Sequence, residues 1–156
     1  LNTVIKHYNI GGKKVNRKMK KQKKITLKFK RHLEKVLKRP STQQPYQTTM
    51  HGIHDWFDHY NAALFENKLP NFDDIKIKRI HGALGQVVYT TYKTRDQKFV
   101  LEMLPRYETK KMFLETLVHE MIHLYQMKIK QDTGNHNKLF FGFRKKLNFL
   151  GLRLSR

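Results

Sequence analysis

Cysteine is absent from this 156-residue chain. Its absence excludes disulfides, zinc ribbons and thiolate nucleophiles, so any bound metal must be held by histidine, aspartate or glutamate. Also missing are an apolar run of the roughly eighteen residues that a membrane span needs and a secretory signal at the N-terminus. We therefore expect an intracellular protein without an integral membrane segment, located in the cytoplasm or at the nucleoid. The Lys-, Asn- and Ile-rich composition favours a bacterial or phage genome, and a phage protein would act in the host cytoplasm.

Acidic residues are scarce. Thirty-three Lys and Arg stand against twelve Asp and Glu, which gives a formal net charge of +21. Residues 13–39 hold fourteen of the basic residues and a single acid, so most of the excess charge lies near the N-terminus. A charge of this size predicts a polyanionic partner, and we expect DNA, bound without sequence specificity. The predicted contacts are Lys13, Lys14, Arg17, Lys18, Lys20, Lys21, Lys23 and Lys24.

The composition divides the chain into a basic tail, residues 1–45, and one folded domain, residues 46–156. Residues 11–24 contain too few apolar side chains to offset their ordering entropy and are predicted to be disordered in isolation. Apolar residues at helical spacing predict a short amphipathic helix over residues 25–39. An anionic membrane or an acidic protein surface is the alternative partner for this helix, and a tail that is only solvated is the third possibility. Residues 40–45 contain two prolines and are predicted to form a linker.

The domain shows the sequence patterns of an α+β fold. Apolar stripes at helical period predict three helices, and runs of alternating or β-branched residues predict three strands. The strands are predicted over residues 75–80, 86–92 and 98–104, and the helices over residues 53–67, 108–130 and 137–150. We therefore expect a small three-stranded sheet packed on a long metal-binding helix with flanking helices, which is a zincin-like minimal core.

Two histidines one helical turn apart, His119 and His123, flank Glu120. On a helix the two imidazoles face the same side and can bind one metal ion, while the carboxylate lies beside the open coordination position. The same pattern also arises by chance, in which case both histidines are ordinary half-buried residues of an amphipathic helix. We interpret it as half of a zinc-hydrolase site, with Glu120 as the catalytic base.

A catalytic zinc ion normally takes three protein ligands, so a third must come from elsewhere in the chain. No glutamate follows Glu120, which excludes the class of enzyme with a downstream helical glutamate. The extended motif with a downstream glycine and histidine also fails, because Gln126 and Ile129 occupy those positions. Two candidates remain, Asp132 and His136. His136 is favoured, because the Gly-Asn pair before it lets the chain reverse after the long helix.

A family resemblance rests on these residues. The stretch Glu-Thr-Leu-Val-His-Glu-Met-Ile-His at residues 115–123, followed by Asp-Thr-Gly-Asn-His-Asn-Lys-Leu-Phe at residues 132–140, resembles the SprT-like (Spartan-type) zinc metalloprotease family. Residues 60–70 share the resemblance, which covers about residues 50–150. It implies three zinc-binding histidines, a catalytic glutamate and proteolysis of DNA-bound or DNA-crosslinked proteins.

Two features depart from the family's pattern. Asn137 stands where a glycine usually follows the third histidine, and the cysteine-rich zinc-binding segment that many members carry is not found in this sequence. DNA contact is then expected from the basic tail.

The leading hypothesis is a zinc-dependent endopeptidase that acts on DNA-associated or DNA-crosslinked proteins. The first alternative is a non-catalytic nucleic-acid-binding or assembly protein whose metal only stabilises the fold. A structural metal site would close its fourth coordination position and would not need Glu120, so this residue separates the two hypotheses. A peptidase without a role at DNA is the third possibility.

Overall fold

The computed structural model describes residues 10–39, 45–94 and 96–156, with side chains from residue 14 onward. Residues 1–9 of the predicted tail and 40–44 of the predicted linker lie outside the described residues. The elements are α1 Ile10–Leu37, β1 Tyr46–Gln47, α2 Met50–Leu64, β2 Asp74–Ile77, β3 Gly85–Thr91, β4 Gln97–Met103, β5 Arg106–Tyr107, α3 Lys110–Leu124, α4 Lys138–Phe141 and α5 Arg144–Phe149. A π-helical turn, Tyr125–Ile129, continues α3.

The central sheet has the strand order β2-β4-β3. β4 pairs in parallel with β2 and antiparallel with β3, so that Leu101 lies opposite both Ile75 and Val87. The predicted three-stranded sheet and the α+β class are confirmed. Sequence patterns did not predict the parallel pairing, nor the separate two-residue ladder in which Tyr46 pairs with Tyr107. Strand direction and pairing of such short segments depend on contacts distant in the chain, which local periodicity does not record.

α3 lies in the core, against α2 on one side and the sheet on the other. The side chain of Thr109 caps its first turn by accepting a hydrogen bond from the backbone N–H of Met112. The hydroxyl of Tyr60 in α2 donates to the carbonyl oxygen of Leu114 at 2.9 Å. The fully buried side chains of the helix are Phe113, Leu114, Leu117, Val118, Met121 and Ile122. Core packing therefore fixes the position of the helix that carries the His-Glu-x-x-His motif.

The prediction of one continuous helix over residues 137–150 is wrong. The chain forms two short helices, α4 and α5, with a break at Gly142 and Phe143. At the break the N–H of Phe143 donates to the carbonyl of Phe140, three residues back, so the helical turn tightens. The apolar pattern was nevertheless a correct guide to burial, because Phe140 and Leu147 are both fully buried.

α1 is a helix of 28 residues that begins at Ile10. The predicted helix start near residue 25 is therefore wrong, and residues 11–24, predicted to be disordered in isolation, are helical in the folded chain. Lys, Arg, Gln and Met all favour helix, and docking of the later turns nucleates a helix that the earlier turns only extend. The division of the chain into two units at residue 45 stays a prediction. None of the described helices, α1 included, has the length and apolar character needed to cross a membrane.

The later turns of α1 dock on α2. Leu33 is fully buried and Phe29 nearly so. The side-chain amide of Gln22 donates to the carbonyl oxygens of Ala62 and Ala63 at 2.9 and 3.1 Å. These carbonyls belong to the last turn of α2, where intrahelical partners run out. α1 therefore satisfies the end of α2 as well as covering its apolar face.

Replacing Leu33 by alanine is expected to lower the free energy of unfolding by about 2–5 kcal/mol, because a fully buried leucine is lost from the contact between α1 and α2. Urea unfolding measures the change. Val15→Ala is the matched control on the same helix, since Val15 is 58% exposed and should change stability by no more than about 0.5 kcal/mol. Equal stability of the two variants would mean that α1 does not dock in solution.

Candidate metal centre

The structure brings the three predicted metal-binding histidines together. His119 and His123 lie on successive turns of α3, and His136 lies in the connection before α4. The Nε2 atom of His119 is 3.1 Å from that of His123 and 3.1 Å from that of His136, and the third separation is 3.2 Å. Among the described residues, these three are the one group whose possible ligand atoms lie close enough to share an ion. Asp132, the alternative third ligand, is not a member.

The geometry of these nitrogens fits a tetrahedral zinc ion. Ligands at zinc–nitrogen distances of about 2.0–2.1 Å lie roughly 3.3 Å from one another in a tetrahedron, close to the observed separations. Hydrogen bonds among the rings do not explain the arrangement, because each Nε2 faces two others and a neutral imidazole nitrogen either donates or accepts. The histidine cluster can therefore hold a divalent metal ion.

Burial keeps two imidazoles of this cluster, those of His119 and His123, neutral. The pKa of His119 is lowered to about 4, chiefly by burial and also by the neighbouring His123 and His136. Burial also lowers the pKa of His123 from its ordinary value of 6.5. A histidine must be neutral to offer a lone pair to a metal, so both rings are ready to bind an ion at neutral pH.

Phe140 lies behind the three imidazoles. Its ring centroid is 4.8, 4.9 and 4.6 Å from those of His119, His123 and His136, and it stacks on His123 at an interplanar angle of 20°. Phe140 is fully buried, so the histidine cluster packs against an apolar side chain. The sequence placed Phe140 on the apolar face of the last helix but did not indicate this contact.

Glu120 is buried beside the cluster, with 5% of its surface exposed. Burial raises the pKa of Glu120 to about 8, and a hydrogen bond from the backbone N–H of Val87 in β3 offsets part of that rise. β3 comes this close to α3 because Gly85 has no side chain. A Cβ at Gly85 would lie 2.7 Å from the methyl carbon of Thr116, a distance that side chains do not tolerate.

In the metal-free protein, Glu120→Gln is expected to raise the free energy of unfolding at neutral and alkaline pH. Between its ordinary pKa of 4.5 and its folded pKa of about 8, the wild-type carboxyl group is neutral when folded and charged when unfolded. Its contribution to stability is therefore present below the unfolded pKa and is lost as the pH rises through the folded pKa. Glutamine stays neutral throughout, so the advantage of the variant should grow with pH.

Urea unfolding in the presence of a chelator, at about pH 5, 7 and 9, measures this difference. A difference between the two proteins that does not change with pH would contradict the buried, neutral state of Glu120.

An open cleft of about 600 Å³ lies over the metal centre, lined by His119, Glu120 and His136. One wall is the loop of residues 82–85, held by a hydrogen bond of 2.5 Å from the hydroxyl of Tyr107 to the carbonyl of Leu84. Arg153 also lines the cleft, and its backbone N–H donates to the carboxylate of Glu115 on α3. Two of the three histidines and Glu120 therefore border solvent-accessible space.

Gln126 lies directly against His123, a contact that sequence reasoning missed. Its Oε1 atom is 2.9 Å from Nδ1 of His123, and its Nε2 atom is 2.8 Å from the carbonyl oxygen of Asn135. It also donates to Oδ1 of Asn137 at 3.1 Å, and Asn137 in turn donates to Asp132 at 2.8 Å. Asp132 is therefore used in this hydrogen-bonded group, which explains why it is not with the histidines. These partners lie up to eleven residues apart, with no periodic signal.

The predicted nucleic-acid contacts lie on α1 and do not line the cleft. The side chain of Lys13 lies outside the described residues, and the other seven are all exposed. They are Lys14, Arg17, Lys18, Lys20, Lys21, Lys23 and Lys24.

Comparison with known proteins agrees with this geometry. The model of the SprT-like family matches residues 53–155, which include most of α2, the central sheet, α3 and all three histidines. No match is found among the curated proteins. The matched region covers well over half of the sequence and contains the whole metal centre, and the chain therefore belongs to the SprT-like family.

Proposed function

We propose that the protein is a zinc-dependent endopeptidase that acts on DNA-associated or DNA-crosslinked proteins. The observation that carries the proposal is the convergence of three imidazole nitrogens, 3.1–3.2 Å apart, next to a buried carboxylate at the base of an open cleft. A site that only stabilised the fold would close its fourth position and would not need Glu120 there.

The chemistry follows from the two kinds of group in the cleft. Bound zinc would lower the pKa of a water molecule from its very high bulk value toward about 7 and polarise the scissile carbonyl group. Glu120 accepts the proton of the attacking water and delivers it to the leaving amine nitrogen. A group that both takes and releases a proton works best when its pKa is near the working pH, and burial moves Glu120 toward that range.

The shape of the cleft favours a polypeptide substrate. Within the described sheet, β3 is hydrogen-bonded to β4 alone and so has a second edge. Its first residue, Gly85, lines the cleft. An extended peptide can add to a strand edge through main-chain hydrogen bonds, which depend little on its sequence. The cleft is open to solvent and can admit the middle of a chain, so we assign endopeptidase rather than exopeptidase activity.

The test of the proposed activity is cleavage of a protein joined covalently to an oligonucleotide, compared with the same protein unattached. The purified chain with one equivalent of zinc is expected to cut the joined protein, to lose activity on chelation and to regain it when zinc is returned. A chain that binds zinc but cuts neither substrate would instead support the non-catalytic alternative, in which the metal only stabilises the fold.

α1 supports the DNA part of the proposal. A helix of 28 residues is about 40 Å long, and its exposed lysines and arginines can follow several phosphates of a nucleic-acid backbone. Release of condensed counterions should then make the affinity fall steeply with salt. Contacts of this type give no sequence specificity, in line with a protease that must act wherever a protein is bound.

Replacing Lys20, Lys21, Lys23 and Lys24 by glutamine is expected to make the dependence of log K on log salt concentration shallower by about 2.8 on single strands and about 3.6 on duplex DNA, if each lysine neutralises one phosphate. Fluorescence anisotropy with single-stranded and duplex oligonucleotides at several salt concentrations measures this slope. The control removes the same charge from exposed lysines elsewhere in the chain, Lys76, Lys93, Lys98 and Lys111. Equal slopes for the two variants would remove α1 from the DNA interface.

A further inference from the structure

We propose that Gln126, which is buried and hydrogen-bonded to Asp132 and Asn137, is a positioning residue that orients His123 and His136 before a metal ion binds. We call these three residues the Gln126 cluster. The inference rests on the proposed metal site, but it concerns how the chain builds that site rather than which reaction it catalyses.

The amide of Gln126 can take only one orientation. Its Nε2 atom faces three oxygens, those of Asn135, Asn137 and Asp132, at 2.8, 3.1 and 3.4 Å. An amide nitrogen has two protons to donate and cannot accept, so the nitrogen must lie on this side and the oxygen on the other. The oxygen then faces Nδ1 of His123 at 2.9 Å.

This orientation fixes the tautomer of His123. An amide oxygen only accepts, so Nδ1 of His123 must carry the proton and donate it. The lone pair is left on Nε2, which is the atom that points to His119 and His136. In metal sites, a ligand histidine held in this way by its other nitrogen keeps its ring orientation and binds more strongly.

The other half of the cluster holds the loop that carries His136. Gln126 donates to the carbonyl oxygen of Asn135, the residue directly before His136. It also donates to the side chain of Asn137, the residue directly after, and the same Asn137 oxygen accepts the N–H of Phe140 at the start of α4. One side chain therefore links the helix with two ligands to the loop with the third.

The local backbone explains how Gln126 reaches both sides. The π-helical turn begins at Tyr125, directly after α3, and places Gln126 beneath His123 with no exposed surface. The chain then reverses through Gln131 and Gly134, both with positive φ, and returns along Gln126. The N–H of Asp132 closes this reversal on the carbonyl of Gln126 at 2.8 Å.

Asn137 stands where members of the family usually have glycine, and its side chain has a structural role. A glycine at this position could not donate to Asp132, accept from Gln126 or cap α4. The asparagine does all three, with distances of 2.8, 3.1 and 3.2 Å. The substitution thus adds side-chain support to the turn that carries the third histidine.

The test is zinc affinity, measured on the full chain by competition with a chromophoric chelator. Gln126→Met keeps the size of the side chain but removes both the acceptor for His123 and the donors to the loop that carries His136. Zinc affinity is expected to fall by about 10- to 100-fold. Gln131→Met is the matched control, since Gln131 is exposed in the same loop and has no part in the cluster. Affinity of Gln126→Met within twofold of the control would overturn the inference.

Two further variants keep the test decisive if Gln126→Met folds poorly. Gln126→Glu keeps the oxygen that accepts from His123 but loses the donors to the loop, so its affinity should lie between those of wild type and Gln126→Met. Asn137→Gly leaves the contact with His123 intact and should weaken zinc binding less than Gln126→Met does. Zinc affinities of both variants equal to that of wild type would also overturn the inference.

A measurement without metal separates this inference from the proposed function. Long-range ¹H–¹⁵N spectra of the zinc-free protein show which nitrogen of His123 carries the proton. Wild type is expected to be protonated at Nδ1 and Gln126→Met to lose this preference; an unchanged tautomer counts against positioning. A protein that shows the tautomer and the affinity differences but cuts no substrate would retain the positioning role and lose the protease.

Discussion

Replacing Glu120 by glutamine is expected to lower the rate of protein cleavage by about 10²- to 10⁴-fold, the usual contribution of a general base. Glutamine has nearly the same shape and can still accept the hydrogen bond from the N–H of Val87. It has no site for the proton of the attacking water. The variant should therefore keep one equivalent of zinc and its fold while turnover is lost.

The assay follows cleavage under single-turnover conditions with zinc content measured on the same sample. Glu108→Gln is the matched control, because Glu108 is exposed and lies outside the cleft. Retained cleavage in Glu120→Gln would remove this residue from the role of base. Loss of zinc together with activity would instead show that the carboxylate supports the metal, which a structural site permits and the proposed mechanism does not.

The surroundings of Glu120 could not be inferred from the motif. The spacing of His119, Glu120 and His123 is local, so a helix is enough to place both imidazoles on one face. The burial of the carboxylate depends on β3, which begins at Gly85 and reaches α3 only because the pairing with β4 holds it there. The contact of Glu120 with Val87 joins residues 33 positions apart, and no periodic pattern in the sequence indicates it.

The length of α1 was underestimated for a related reason. Composition alone says that residues 11–24 bury too little apolar surface to order themselves. The estimate treats the segment as isolated, whereas Gln22 bonds to the end of α2 and Leu33 enters the core. A helix anchored over its later turns needs only favourable propensity to continue, and the lysine-rich turns supply it.

The third ligand was the least determined part of the site at the level of sequence, because Asp132 and His136 both follow the long helix within reach. The structure places the Asp132 carboxylate against Asn137 and the backbone N–H of Thr133, both at 2.8 Å. His136 lies with His119 and His123 in the histidine cluster. Distinguishing the two required the course of a loop with positive φ at Gln131 and Gly134, which side-chain spacing does not specify.

Replacing His136 by alanine is expected to weaken zinc binding by more than the roughly 100-fold that loss of a supporting hydrogen bond causes, because a direct ligand is removed. Two imidazoles on one helix remain, so a tetrahedral ion bound to them would have two coordination positions without a protein ligand instead of one. Cleavage should be lost at stoichiometric zinc. The measurement is zinc content after dialysis against a weak chelator, followed by a competition titration.

Two control variants are compared with His136→Ala. His81→Ala makes the same substitution at an exposed histidine next to the loop that walls the cleft, and it should leave zinc content unchanged. Asp132→Asn removes the charge of the competing candidate but keeps a side chain that can accept hydrogen bonds, so zinc should be retained with a modest loss of affinity. If Asp132→Asn loses the metal and His136→Ala keeps it, the ligand set is wrong, and the separations of 3.1–3.2 Å among the three nitrogens have no metal to explain them.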